Sequence, residues 1–225
     1  GIWAISPKHL FADNLKDELW LVAGGVFGGS LYFFTENTAL GITQASNVAF
    51  IICTAPLLTT ILSLLFYKSE KATKGLIYGS LLALIGVGLV VFNGSVVLKL
   101  SPVGDLLTLL AAPSWAFYSL VIKRMTGRYP TVFITRKIFF YGVLTILPAF
   151  LLHPLQPDFD VLLQPLVLSN LLFLAVLASL ICYILWNVVL KQLGTMRASN
   201  YIYLNPLVTM VASVLILHEQ ITWIT

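Results

Sequence analysis

Long apolar runs separated by short polar stretches dominate the chain. Seven runs are long enough to be membrane-spanning helices: Leu19–Leu40, Ala45–Tyr67, Gly75–Phe92, Val103–Ile122, Thr131–Leu152, Leu166–Leu190 and Ala198–Leu217. A helix rising about 1.5 Å per residue needs about 20 residues to cross a hydrocarbon core of about 30 Å. The runs are apolar on all faces and longer than the strands of about 10 residues that build a membrane barrel. The pattern therefore predicts an all-α integral membrane protein.

The composition supports a membrane protein and excludes an ordinary soluble one. Hydrophobic residues make up 59% of the chain, charged residues 10%, and the mean hydropathy is +0.94, whereas about a quarter of a soluble domain is charged. The net charge of +4 does not indicate nucleic acid as a partner, because the basic residues lie in short loops between apolar runs. We expect the lipid bilayer and a small-molecule substrate as partners, and the sequence leaves a homodimer open.

The basic residues also predict an orientation. Among the 13 Lys and Arg residues, only Lys99 falls in one set of alternate loops, and the other twelve fall in the opposite set. Cytoplasmic loops carry the excess of Lys and Arg. The segment before Leu19 is therefore expected on the cytoplasmic side of a multi-pass protein of a bacterial cytoplasmic (inner) membrane.

An internal repeat relates the two halves of the chain. The segments Leu40–Asn47 and Leu193–Asn200 match at five of eight positions and both end in Ala-Ser-Asn. Each is followed by an apolar stretch with a Pro-Leu pair, at Pro56 and Pro206. By the charge distribution, the first of these joints lies outside the cell and the second lies inside. The halves are therefore predicted to have inverted topology, as in many transporters.

Further motifs carry a family resemblance. The Ala-Ser-Asn joints, the Pro-Leu pairs, the Glu-x-x-Thr exits at Glu70 and Glu219, and the segment Gly104–Tyr118 occur in this order. With them the chain resembles the EamA-domain transporters of the drug/metabolite transporter superfamily. The resemblance implies a ten-helix exporter or exchanger with two inverted EamA-type repeats, cytoplasmic termini and a substrate cavity between the halves.

The same resemblance divides the chain into segments. Residues 1–93 would hold the end of the first repeat, with the tail of helix 2 and helices 3–5. Residues 94–102 would be a periplasmic linker. Residues 103–225 would hold helices 6–9 and the start of helix 10. The chain is thus expected to be a fragment with seven complete transmembrane helices.

Glu36 is the only acidic or basic residue well inside a predicted span. Because a charge at a helix centre costs about 2.5–3.5 kcal/mol on insertion scales, such a residue is by default a functional hypothesis. One interpretation is proton coupling, in which Glu36 gains and loses a proton as the cavity opens to each side. The other is structural: Glu36 reaches outer water or bonds Asn37, Asn47 or Thr38. Asn37, Asn47 and Asn200 are polar residues at the helix joints.

Pro56 and Pro206 occupy matching helices of the two halves, and each removes one intrahelical hydrogen bond. Freed carbonyl groups at membrane depth are tolerated where they line a cavity or find another partner. The neighbouring Thr54 and Asn205 are candidates to bond these carbonyls or to contact substrate. A plain packing kink is the alternative.

Other polar and aromatic residues near mid-depth complete the candidate cavity: Ser30, Tyr32, Trp115, Tyr118, Tyr183, Trp186, Asn187, Tyr201 and Tyr203. Aromatic walls with polar tips and few charges suit a small zwitterionic or weakly polar solute. The alternatives are interfacial belts of Trp and Tyr and hydrogen bonds between helices.

Small and basic residues suggest packing roles. The pairs Gly24-Gly25 and Gly28-Gly29 give two Gly-x-x-x-Gly spacings, which permit a close helix approach. Arg136 and Lys137 lie within two turns of a cytoplasmic helix end. We expect them to extend to the interface, with attraction of an anionic substrate as the alternative.

These features favour a secondary transporter of a small organic solute, such as an amino acid or related metabolite. A membrane-embedded enzyme is an alternative, but the spans contain no His and no paired acids. A non-transporting scaffold is a second alternative. Cys53 and Cys182 stand alone without a nearby His, so we expect no metal and no cofactor.

Overall fold

A computed structural model describes residues 11–43, 45–67, 73–92, 101–152, 158–205 and 208, and these residues form helices with no strand among them. The helices are α1 (Leu15–Gly25), α2 (Tyr32–Ile42), α3 (Ala45–Ile52), α4 (Ala55–Phe66), α5 (Lys74–Phe92), α6 (Pro102–Thr126), α7 (Thr131–Leu152), α8 (Phe159–Leu162), α9 (Pro165–Leu172), α10 (Cys182–Leu193) and α11 (Thr195–Asn200). Two π-helical segments join α1 to α2 (Val26–Leu31) and α9 to α10 (Phe173–Ile181). The all-helical prediction is confirmed.

Several of these helices are suited to a bilayer. Four are long and apolar enough to cross one: Asn47–Phe66, Pro102–Thr126, Thr131–Phe150 and Pro165–Leu193. Lys74–Leu89 forms a shorter apolar helix. The first predicted span, Leu19–Leu40, is helical throughout, and most of the last, Ala198–Leu217, lies outside the described residues. The count of seven spans, and of ten in a complete transporter, stays a prediction.

The first long helical stretch begins at a side-chain cap. Asn14 has an extended backbone, and its Oδ1 accepts a 2.8 Å hydrogen bond from the backbone N–H of Asp17. This bond satisfies one of the N–H groups that a helix start leaves unpaired. The acidic side chains of Asp17 and Glu18 lie in the first turn, where the helix dipole favours negative charge.

The second predicted span breaks near its proline. Helix α3 ends at Ile52, and α4 begins at Ala55 with Pro56 in its first turn. At the break, Thr54 Oγ1 donates a 2.6 Å hydrogen bond to the carbonyl of Ile51. The side chain of Thr54 therefore bonds the backbone at this turn, and its predicted roles beside the proline stay predictions.

Glycines allow two helical stretches to cross at backbone distance. A methyl group added at Gly25 would lie 2.5 Å from Cβ of Tyr141, and one added at Gly29 would lie 2.8 Å from Cα of Gly142. Side chains at these positions would hold the backbones apart. The Gly-x-x-x-Gly face formed by Gly25 and Gly29 thus packs against α7.

The buried core lies between this first stretch and helices α6, α7 and α10. Its largest fully buried side chains include Leu21, Tyr118, Ile122, Ile134 and Asn187. By contrast, no residue of α9 or of the π-helical segment Phe173–Ile181 is buried. The face of this apolar stretch is suited to lipid.

Polar contacts hold the first stretch to α6 at the end opposite Asn14. Thr43 Oγ1 donates to Asp105 Oδ1 at 3.4 Å, and Ser101 Oγ donates to the carbonyl of Ile42 at 3.2 Å. The start of α6 is therefore fixed beside the end of α2.

Candidate functional site

Five aromatic side chains meet inside the bundle, and we refer to them as the aromatic cluster: Tyr32, Trp115, Tyr118, Tyr183 and Trp186. They come from α2, α6 and α10. All five were predicted as cavity residues from the sequence, and the fold brings them together. Their role in binding stays a prediction.

Trp115 is the centre of the aromatic cluster. Its ring centroid lies 4.9 Å from that of Tyr32, 5.2 Å from that of Tyr118, 5.8 Å from that of Tyr183 and 5.9 Å from that of Trp186. The rings are tilted or edge-on rather than stacked flat, which is the arrangement that aromatic pairs prefer. The other four rings therefore pack around Trp115.

Two tyrosine hydroxyl groups of the cluster hold the surrounding helices together. Tyr118 donates a 2.7 Å hydrogen bond to Oδ1 of Asn187, which in turn donates through Nδ2 to Thr135 Oγ1 at 2.8 Å. All three side chains are fully buried and come from α6, α10 and α7. The predicted cavity residue Asn187 is therefore a buried link between three helices.

The second of these hydroxyl groups meets the first π-helical segment. Tyr183 donates a 2.7 Å hydrogen bond to the carbonyl of Gly28. The wider turn of a π-helix disturbs the regular hydrogen-bond pattern and is common at functional sites. Gly28 also lies directly against the ring of Tyr118, because an added methyl group would be 2.5 Å from Cγ of that ring.

Glu36 lies at the edge of the aromatic cluster and is partly buried. Its Oε1 accepts a 3.0 Å hydrogen bond from the hydroxyl group of Tyr32, four residues earlier on the same helix. Among the described contacts Glu36 has no bond to Asn37 or Thr38, and Asn37 Nδ2 donates instead to the carbonyl of Phe33 at 2.8 Å. The partner of Glu36 thus belongs to the aromatic cluster.

Two donors of the cluster are left over. The indole nitrogens Nε1 of Trp115 and Trp186 are buried, and neither has a hydrogen-bond partner within the part of the chain that the structure describes. An indole N–H only donates, and buried polar groups are nearly always bonded. These two donors are therefore available to an acceptor that the described residues do not supply.

Three other predicted cavity residues have structural positions outside the cluster. Ser30 Oγ lies 2.8 Å from Thr145 Oγ1 of α7 and so links two helices. Thr54 bonds the backbone at the start of α4, and Pro56 is buried there. None of these positions includes a contact with the aromatic cluster among the described contacts.

The predicted residues near the second joint differ in their burial. Tyr203 is buried and packs near Cys53, and Asn200 Oδ1 accepts a 3.0 Å hydrogen bond from Ser80. Tyr201 and Asn205 are exposed. Pro206 lies outside the described residues, so its predicted role is not addressed.

The structure also shows two ion pairs that the sequence did not predict. Asp17, which is 1% exposed, accepts hydrogen bonds from Arg128 Nη1 at 2.8 and 2.9 Å. The next residue, Glu18, pairs with Lys137 and also bonds the hydroxyl group of Tyr141. The side chain of Lys137 is buried against Glu18, and its extension to the interface stays a prediction.

The Asp17 carboxyl group precedes the first span, and its pKa lies below the usual value of 3.8. Burial alone would raise this pKa, but hydrogen bonds from Arg128, Asn14 and Tyr129 to the carboxylate outweigh burial. The folded protein therefore stabilises the charged form of Asp17.

Comparisons with known proteins agree with this architecture. The model of the EamA-like transporter family matches residues 1–92 and 102–225. A protein of known crystal structure superposes with a TM-score of 0.73 at 19% identity, covering 92% of this chain and 70% of that chain. At this level of identity the likeness shows a shared fold alone.

Several relatives of this chain are named as transporters. An uncharacterized transporter of Archaeoglobus fulgidus is 26% identical over 97% of this chain and 74% of its own length. Proteins named as probable amino-acid metabolite efflux pumps in Salmonella typhimurium and Escherichia coli are 26% and 24% identical, each over 96% of this chain and 75% of the relative. The names of these relatives indicate transport rather than catalysis.

Proposed function

Because the chain belongs to the EamA-like transporter family, we propose that it moves an amino acid or a related small metabolite across the bacterial cytoplasmic membrane by alternating access, as an exporter or exchanger. Family membership makes it a multi-pass membrane transporter with a small-molecule substrate. The substrate class follows the two relatives that are named as probable amino-acid metabolite efflux pumps.

The observation that carries the proposal is the aromatic cluster with Glu36 at its edge. Aromatic side chains offer apolar contact area together with polar tips, and pockets for small molecules combine such walls with a few polar groups. One carboxylate beside five aromatic rings suits a solute that is largely apolar and carries an amino group. Cations are attracted to the faces of aromatic rings as well as to a carboxylate.

Alternating access requires the cluster to open. The ring contacts around Trp115 close the cluster in this arrangement, so a solute enters only when the rings separate. The hydrogen bond from Tyr183 to Gly28 joins α10 to the π-helical segment Val26–Leu31. Relative movement of these two elements would break that bond and part the rings, which makes the π-helical segment the proposed hinge.

Glu36 is the proposed coupling site for protons. Its hydrogen bond with Tyr32 connects the carboxylate to the ring that lies 4.9 Å from Trp115. Protonation of Glu36 removes the negative charge that this hydroxyl group bonds, and hydrogen bonds to neutral acceptors are weaker. A change of charge at Glu36 would thus alter the packing of the cluster, and so link proton binding to opening.

Flux measurements in proteoliposomes containing the full-length protein test both the transport activity and the proton coupling. Saturable counterflow of labelled amino acids is expected, and product formation without flux would instead support a membrane-embedded enzyme. Glu36→Gln is expected to abolish the dependence of flux on a pH gradient. The matched control is Asp160→Asn, which changes an exposed acid outside the bundle. Normal rates with an unchanged pH dependence in Glu36→Gln would refute proton coupling at this residue.

A further inference from the structure

We propose that the indole N–H groups of Trp115 and Trp186 form a paired donor site that binds the carboxylate or carbonyl group of the transported solute. This inference rests on the proposed function and adds the polarity of the site to it. It makes the two tryptophans specificity-determining residues and not merely apolar walls.

The first observation is that the two indole nitrogens are both buried and both lack a hydrogen-bond acceptor among the described residues. The centroids of the two rings are 5.9 Å apart. A buried donor without a partner is destabilising, because it loses its hydrogen bonds to water and gains none. Two such donors on neighbouring rings are therefore available to an acceptor group that the described chain does not supply.

The second observation is that the cluster has no other donors to offer. The hydroxyl group of Tyr118 donates to Asn187, that of Tyr183 donates to Gly28, and that of Tyr32 donates to Glu36. Each of these protons already serves a bond within the protein. The two indoles are the cluster's donors that remain for a solute.

The chemistry of indole selects the class of group that binds. Indole has one N–H donor and no acceptor, so it cannot bind an ammonium group through this atom. A carboxylate has two oxygens and accepts from two donors at once, and hydrogen bonds to charged acceptors are the stronger ones. A carboxylate therefore fits the pair best, and a carbonyl oxygen fits it less well.

The positions of the donors and of Glu36 also orient the solute. Tyr32 lies between Glu36, which it bonds, and Trp115, against which its ring packs. Acceptor atoms of a solute would thus face the indoles, and its amino group would face Glu36. Different residues would thus bind the two ends of a zwitterion.

A matched set of probes separates these ends: leucine, 3-methylbutylamine (leucine without its carboxyl group) and 4-methylpentanoate (leucine without its amino group). Binding is measured by thermal stabilisation of the purified full-length protein in detergent across a concentration series. We expect the wild type to bind leucine about 10- to 100-fold more tightly than the amine, which is the factor that charged hydrogen bonds provide. An amine that binds as tightly as leucine, or the absence of binding by all three probes, would overturn the inference.

The variants Trp115→Phe and Trp186→Phe keep an aromatic ring and remove the donor. Each is expected to reduce the leucine-to-amine preference about tenfold. The control is Trp20→Phe, because Trp20 lies outside the aromatic cluster and beneath the guanidinium group of Arg124, 4.8 Å from its ring centroid. This control should keep the wild-type preference.

A second kind of variant removes the N–H group alone. Replacing the indole of Trp115 by benzothiophene, its sulfur isostere, keeps the ring shape and should lower the preference as Phe does. An unchanged preference in this variant and in both Phe variants would overturn the inference. Flux of labelled amino acids in wild-type proteoliposomes would still support the proposed function in that case, so the two failures are distinguishable.

Discussion

A methyl group at Gly28 is expected to disturb the centre of the bundle. The added carbon would lie 2.5 Å from Cγ of Tyr118, whereas carbon atoms pack best at about 3.5–4.0 Å. The ring cannot turn away freely, because Tyr118 is fully buried and its hydroxyl group bonds Asn187. In Gly28→Ala the π-helical segment must therefore move by about 1 Å away from α6.

The structure sets the size of the effect. Overpacking a tight core costs about 1–3 kcal/mol. Movement of the segment also stretches the 2.7 Å hydrogen bond from Tyr183 to the Gly28 carbonyl, and such a bond within a membrane protein contributes about 0.6 kcal/mol on average. We therefore expect Gly28→Ala to lower the free energy of unfolding by about 2–4 kcal/mol.

Equilibrium unfolding in mixed micelles, titrated with a denaturing detergent and followed by circular dichroism, measures this change. Gly79→Ala is the matched control, because beyond the backbone of its own helix no described atom lies within 4 Å of its added methyl group. Alanine is the better helix former, so this control should be neutral or stabilising by up to about 1 kcal/mol.

A double-mutant cycle tests the stated cause. Tyr118→Ala alone is destabilising, but it opens space for the methyl group of Gly28→Ala. The double variant should be more stable than additivity predicts by about 0.5–3 kcal/mol. Additivity within about 0.5 kcal/mol would show that the ring of Tyr118 is not what the methyl group meets.

Three smaller predictions concern other polar contacts. Asp17→Asn should lower the melting temperature at pH 7 but have little effect well below pH 3.8, because a carboxyl group with a lowered native pKa stabilises the fold only where it is ionised. Asp160→Asn is the control. An equal loss of melting temperature at both pH values would contradict the prediction. Asn187→Ala should cost about 1–3 kcal/mol in the same unfolding assay, because it leaves the buried hydroxyl group of Tyr118 without an acceptor, whereas the hydroxyl group of Thr135 keeps its bond to the carbonyl of Thr131. A loss below about 0.5 kcal/mol would argue against this link. Ser63→Ala should cost only about 0.6 kcal/mol, since Ser63 shares a single 3.1 Å hydroxyl contact with Thr195, and a loss above about 2 kcal/mol would contradict that estimate.

The helices could be predicted from the sequence because hydrophobicity acts locally. Apolar runs of sufficient length must satisfy their backbone groups internally in lipid, and a helix does so within one segment. The two π-helical segments were not predicted. The first is contacted by Tyr183, which lies 155 residues further along the chain and donates a hydrogen bond to the carbonyl of Gly28. No pattern within Val26–Leu31 indicates that partner.

The ion pairs at the start of α1 were missed for a similar reason. Arg128 and Lys137 lie more than 100 residues from Asp17 and Glu18, and the sequence alone does not say which basic loop faces which acids. A local signal existed for Glu36, however. Its partner Tyr32 is four residues earlier, a spacing that places two side chains on the same helix face.

The aromatic cluster contains polar atoms of two kinds, and the difference separates packing from recognition. Tyr118 and Tyr183 bond groups of the protein itself, so removing their hydroxyl groups should change stability first. The indoles of Trp115 and Trp186 bond nothing within the described chain, so removing their N–H groups relieves a buried donor and should cost the fold little. Variants of the tryptophans are therefore expected to lose solute preference but not stability against unfolding. Variants of the tyrosines are expected to lose stability but not solute preference. Sequence type does not separate these residues, because all are aromatic residues with a polar tip in apolar helices; the bonds that each one makes in the fold do separate them.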